Sequence, residues 1–206
     1  MIAALVFAVN IGALEAGDDV ATLTTGTEHG LMVGAGYGHV LVLADRLVVV
    51  GGDAAVGWGD IDAGDFRLRA TALAPVVRAG RWQVLAGLAA TLRGTHNEMA
   101  RMLDLGADLS LAAGYYAPRW FAAAEGGFDW AATTHIAPTD EYRMQVYADA
   151  RDGWYGNTGG IIHAGVQGGV SVGRSDISLR AGRLLASDGA PAMFPVYATL
   201  GYALHW

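Results

Sequence analysis

Apolar residues in this chain recur at every second position, over stretches of roughly 9 to 13 residues, and the pattern is clearest between residues 66 and 116. Phe66, Leu68, Ala70, Ala72, Ala74 and Val76 alternate with Arg67, Arg69 and Thr71. Trp82, Val84, Ala86, Leu88, Ala90 and Leu92 oppose Gln83, Gly87, Thr91 and Arg93. Leu103, Leu105, Ala107, Leu109, Leu111, Ala113 and Tyr115 oppose Asp104, Gly106, Asp108, Ser110, Ala112 and Gly114, two sets that no helical wheel separates. Successive side chains of a strand point to opposite faces, so each stretch predicts a strand with one apolar face and one polar or small face.

Turn residues punctuate these strands. Ala44-Asp45-Arg46, Ala79-Gly80-Arg81, Ala117-Pro118-Arg119 and Gly173-Arg174-Ser175-Asp176 read as tight turns of similar chemistry. The predicted strands are 2–14, 29–43, 47–58, 66–78, 82–95, 101–116, 120–134, 161–172, 177–186 and 195–206. Longer, polar, acidic connections fall near 15–28, 59–65, 96–100, 135–160 and 187–194, the fourth with a short helix around Glu141 to Ala148. Short turns and long loops therefore alternate, as in an up-and-down barrel with both termini on the short-turn side, which requires an even number of strands. That requirement decides the first segment. Met1 to Ala16 resembles a hydrophobic signal core ending on Leu14-Glu15-Ala16, but it has no basic start, and removing it leaves about nine strands. It is therefore read as strand one.

Composition narrows the solvent. The 206 residues suit one domain, 1–206, and 53% are hydrophobic, with a mean hydropathy of +0.31, high for a water-soluble protein. The longest apolar run, Met1 to Val9, stops at Asn10, well short of the roughly 20 residues a membrane helix needs. Lipid admits only helices and closed barrels, so the alternating strands predict a transmembrane barrel of about ten strands. Aromatic residues fall where such a barrel meets the two interfaces: Trp82, Tyr115, Trp120, Tyr202 and Trp206 toward the short turns, and Trp58, Phe66, Phe128, Trp130 and Phe194 toward the long loops. A soluble sandwich reproduces the alternation but not two aromatic rows.

The last segment, Tyr197-Ala198-Thr199-Leu200-Gly201-Tyr202-Ala203-Leu204-His205-Trp206, resembles the closing strand of bacterial outer-membrane β-barrel proteins. Those chains end in an aromatic residue preceded by alternating apolar and aromatic positions, here Trp206 after Leu204, Tyr202, Leu200 and Ala198. The resemblance implies a Gram-negative outer-membrane location, surrounding lipid, and recognition by the barrel-insertion machinery.

With the apolar faces outward, the lumen receives Asn10, Asp53, Arg67, Arg69, Gln83, Arg93, Asp104, Asp108, Glu125, Asp129, His163, Gln167, Arg180 and Tyr197. Both charge signs occur together, which predicts an ion-pair network that plugs the lumen, because isolated buried ions are costly. About ten strands leave room at most for a narrow pore and exclude a wide general-diffusion porin.

Other constellations are weaker. His163, Asp129 and Thr133 sketch a base, its orienter and a hydroxyl near the rim, although a lumen hydrogen-bond pair is the plainer reading. Asp60, Asp62 and Asp65 resemble half of a calcium loop but lack the distal glutamate, so a solvated acidic loop is expected, and no cofactor is. His29, His39, His96, His135 and His205 have no ligand spacing. The absence of cysteine excludes disulfides and thiolate chemistry, and a net charge of −7 argues against nucleic acid.

The functional expectation is a structural or anchoring barrel that docks an envelope partner through its loops, the fourth above all, with Tyr142, Tyr147, Trp154 and Tyr155. The alternatives are a narrow pore for small solutes or ions, and a rim hydrolase acting on lipid or peptide. Small outward residues at Ala70, Ala72, Ala74, Ala86 and Ala90 offer a flank for a homo-oligomer.

Overall fold

The computed structural model describes residues 9–27, 31–58, 64–187 and 191–206, with side chains for all of these except 191–194. Ten strands form in chain order: β1 (Asp19–Thr27), β2 (Leu31–Leu43), β3 (Arg46–Gly57), β4 (Phe66–Ala79), β5 (Trp82–His96), β6 (Ala100–Ala117), β7 (Trp120–Pro138), β8 (Gly153–Val172), β9 (Ser175–Ala186) and β10 (Pro191–His205). Each pairs antiparallel with its neighbours in sequence, and β1 closes on β10 from Val20↔His205 to Thr27↔Ala198. The fold is a closed up-and-down barrel, so neither end strand is left as an open edge along its paired length.

The first predicted strand is corrected. Residues 9–18 form turns rather than a strand, and β1 begins at Asp19, inside the stretch expected to be a long loop. Residues 2–8 of that prediction lie outside the described residues. The even count survives because Val20 and Thr22 face inward while Leu23 faces outward, an alternation masked by threonine, which suits either face. The chain between 9 and 18 is needed for another task, described below.

The tight turns follow from local chemistry. Ala44 and Asp45 both have positive φ, 49° and 60°, as a two-residue hairpin turn matched to strand twist demands. Gly80 at 63° and Gly173 at 62° meet the same need without a Cβ penalty. At the other end the wall is uneven. β7 and β8 run 19 and 20 residues, whereas β1 has 9, so β7 and β8 take up both ends of the expected 135–160 loop, 135–138 and 153–160. The remaining connection holds α1 (Asp140–Gln145), which starts one residue before the expected helix and ends three residues short of it. The Thr139 hydroxyl accepts from the Tyr142 amide at 3.2 Å, and Asp140 and Glu141 lie in the first turn, where acids suit the helix dipole.

The outer surface is apolar. Leu68, Leu88, Leu109, Leu111, Val166, Leu179 and Leu200 are all exposed, whereas Arg67, Arg69 and Arg180 are buried inside. Trp82, Tyr115 and Trp120 form a continuous aromatic run near the short turns, edge-on at 5.6 Å and then stacked at 5.0 Å. Trp206 and Tyr202 are partly exposed on the outer face of β10, while His205 points inward.

Candidate functional site: the lumen and its rim

The lumen has two layers. Nearest the short turns it is apolar and filled by the chain's own residues 9–14. Val9, Ile11 and Leu14 pack with Val20, Val40, Val49, Leu73, Leu85, Tyr116 and Phe121 in one buried cluster. Tyr116 and Phe121 stack nearly parallel at 5.7 Å across the turn-side end of β6 and β7.

A polar residue fixes this plug. Asn10, fully buried, donates from its side chain to the Ala117 carbonyl at 2.7 Å and to Ser171 Oγ at 2.9 Å. Its backbone amide donates to Asp176 Oδ2 at 2.9 Å, and its Oδ1 accepts from the Gly12 amide at 3.0 Å. Asn10 thereby satisfies its own buried polar atoms and fastens the segment to both the β6–β7 and β8–β9 hairpins. Gly12 fits because a Cβ there would lie 2.8 Å from the Tyr116 carbonyl oxygen.

Above the plug the lumen is ionic. Arg180 makes a two-pronged contact with Glu125, Nε at 3.0 Å and Nη2 at 2.8 Å, and the Tyr197 hydroxyl donates to the same carboxylate at 2.6 Å. Tyr197 is seated against Gly165 and Gly182, where a Cβ would fall 2.3 and 2.5 Å from its hydroxyl. Across the barrel Asp53 accepts from Arg69 at 2.9 Å and lies 3.6 Å from Arg67. Nearer the loops Arg93 contacts Asp129 at 2.6 Å, and Asp104 accepts from the Thr134 hydroxyl. Fork-shaped guanidinium–carboxylate pairs of this kind offset the desolvation of both ions.

The residues expected in the lumen all lie there, but in separate clusters: Arg67–Asp53–Arg69, Arg180–Glu125–Tyr197, Arg93–Asp129, and Asp104 with Thr134. Asp108 sits opposite Asp129 in the β6–β7 register, 1% exposed, and neither of its oxygens has a hydrogen-bond partner among the described residues. The rim triad is not assembled. Asp129 binds Arg93, Thr133 donates to the Tyr155 carbonyl at 3.1 Å, and His163 lies edge-on to Tyr197 at 6.5 Å. Of the acidic loop, Asp60 and Asp62 lie outside the described residues, while Asp65 accepts from the His96 amide at 2.7 Å. No group of three potential metal ligands occurs among the described residues.

Two features escaped the sequence reading. One is the plug, whose signal is Asn10-Ile11-Gly12, a polar residue and a glycine interrupting an apolar run. The other is a bulge in β8, where Asn157 and Gly159 have φ of 51° and 136° and the β7–β8 register shifts between Ala131 and Thr133. Gly156-Asn157-Thr158-Gly159-Gly160 announces such a break, but within a long expected loop it had no strand to interrupt. No family model matches the chain, and no curated protein is detectably similar to it.

Proposed function

We propose that this chain is an integral outer-membrane barrel whose lumen is sealed and whose work is done by the tall β6–β8 wall and the α1 loop. The observation that carries this reading is the inverted polarity of the barrel. Leu88, Leu109 and Leu179 are 57%, 57% and 59% exposed, while Arg67, Arg69 and Arg180 are 2%, 5% and 2% exposed. In water that arrangement leaves a continuous apolar surface far larger than soluble monomers carry. In a bilayer it is the stable one. The aromatic run of Trp82, Tyr115 and Trp120 matches an interfacial girdle.

A sealed lumen favours anchoring or docking over transport. Met144, Val146, Tyr147, Trp154 and Tyr155 are exposed together on the α1 loop and the start of β8, a surface suited to another envelope protein. Purified protein run on a gel with and without boiling, and floated with phospholipid vesicles, tests the reading. A boiling-dependent mobility shift and co-flotation are expected. A water-soluble protein whose mobility ignores boiling would overturn it.

A further inference from the structure

The seam between β3 and β4 parts before it reaches the short turns. Its register ends at Val49↔Leu73, although β3 runs on to Arg46 along β2 and β4 runs on to Ala79 along β5. Pro75 is the local reason. It has no amide to donate, and the β4–β5 register shifts between Pro75 and Val77, so β4 bulges there. Arg46 spans the gap, donating from Nη1 to the Pro75 and Val76 carbonyls at 2.6 Å each.

The bulge also re-aims a charge. Before it, odd-numbered residues of β4 such as Arg69, Thr71 and Leu73 are buried on the lumen side. After it, Arg78 stands opposite Gln83, which is 7% exposed, so an even-numbered arginine shares the inward face.

Behind the parted seam lies a cavity of about 240 Å³. Ile11 and Leu14 of the plug, with Leu47 and Tyr116, give it an apolar interior. Among the described residues, the charged side chains that bound it are Arg46, Arg78, Arg81 and Asp45. They are not equally available. Arg46 is committed to two carbonyls and Arg81 donates to the Tyr115 hydroxyl at 3.2 Å, whereas the side chains of Arg78 and Gln83 have no hydrogen bond or ion pair among the described residues. Buried amides are nearly always bonded, so Gln83 lacks a partner that the cavity has room to supply. One uncommitted guanidinium opposite one uncommitted amide suits a head with a single negative charge, and Asp45 opposes a second.

We propose that this cavity binds a small organic acid, its carboxylate between Arg78 and Gln83 and its short apolar body against Ile11, Leu14 and Tyr116. Burial of the body and charge-assisted hydrogen bonds to the head act together, so neither a bare anion nor a neutral chain of the same length gains both. The site is independent of what surrounds the barrel.

The purified full chain in dodecyl maltoside is titrated by calorimetry with hexanoate, acetate, inorganic phosphate and hexan-1-ol, with the heats from protein-free micelles subtracted. Hexanoate binds saturably and about tenfold or more tighter than acetate or phosphate, and hexan-1-ol gives no saturable heat. Arg78→Gln and Gln83→Leu each weaken hexanoate about tenfold. Gln83→Glu sets a carboxylate of the chain's own opposite Arg78 and abolishes binding. Arg119→Gln removes a turn-side charge that does not bound the cavity and leaves the affinity unchanged. Circular dichroism with wild-type strand content confirms that each variant is folded. The absence of saturable hexanoate binding, equal binding of acetate or hexan-1-ol, or wild-type affinity in folded Arg78→Gln or Gln83→Glu overturns the proposal.

Discussion

The two layers of the lumen solve one problem with opposite chemistry. On the turn side, strand residues such as Val20, Val40, Leu73 and Leu85 leave an apolar space that residues 9–14 fill. On the loop side the strands fill the space themselves with paired ions. An apolar layer needs a filler of the right volume but tolerates approximate fit, so a short segment held by Asn10 suffices. An ionic layer tolerates little: its charges are held by a few short contacts, and removing one member leaves a buried charge short of the partner that offset its desolvation.

The largest test of this contrast lies in the ionic layer. Glu125→Ala strips Arg180 and Tyr197 of their shared acceptor and is expected to cost about 3–5 kcal/mol of stability, read by urea unfolding in lipid. Adding Arg180→Met recovers most of that loss, because the unpaired charge is gone. A double variant as unstable as the single would show that the pair's geometry, rather than its charge, holds the layer.

The plug comes next. Asn10→Ala deserts the Ala117 carbonyl, Ser171 and the Gly12 amide, and is expected to cost about 1–3 kcal/mol. It also loosens residues 9–14, read as faster proteolysis from the turn side while the barrel keeps its mobility shift. Gly182→Ala places a methyl 2.5 Å from the Tyr197 hydroxyl and is expected to cost roughly 1–3 kcal/mol by overpacking the ionic layer. Gly57→Ala, with open space around its Cβ position, serves as the control and stays within about 0.5 kcal/mol of wild type. The smallest effect lies outside both layers. Arg143→Gln breaks an exposed pair with Asp140 in α1 and changes stability by no more than about 0.5 kcal/mol.

The same contrast explains what the sequence revealed. The ionic layer was legible because charges at inward parity, Arg67 against Leu68 or Asp108 against Leu109, can only face the lumen once the apolar face is given to lipid. Which acid meets which arginine was not legible. Arg93 stands opposite Asp104 in strand register yet binds Asp129, because long side chains choose partners across the lumen. The plug was misread as part of a strand because apolar residues such as Val9, Ile11 and Leu14 look alike beside lipid and inside a barrel. β1 was missed for the complementary reason: Thr22, Thr24 and Thr25 blur the distinction between faces. The height of β7 and β8 was hidden by glycine and threonine, which read as loop while their backbones pair.

Conductance across a planar bilayer tests most directly whether both layers seal a membrane-spanning barrel. The inserted wild-type protein is expected to show no steady current at moderate voltage, since the apolar plug and the ion pairs each obstruct the path. A stable, ion-selective conductance would contradict the sealed lumen and return the molecule to the class of narrow pores.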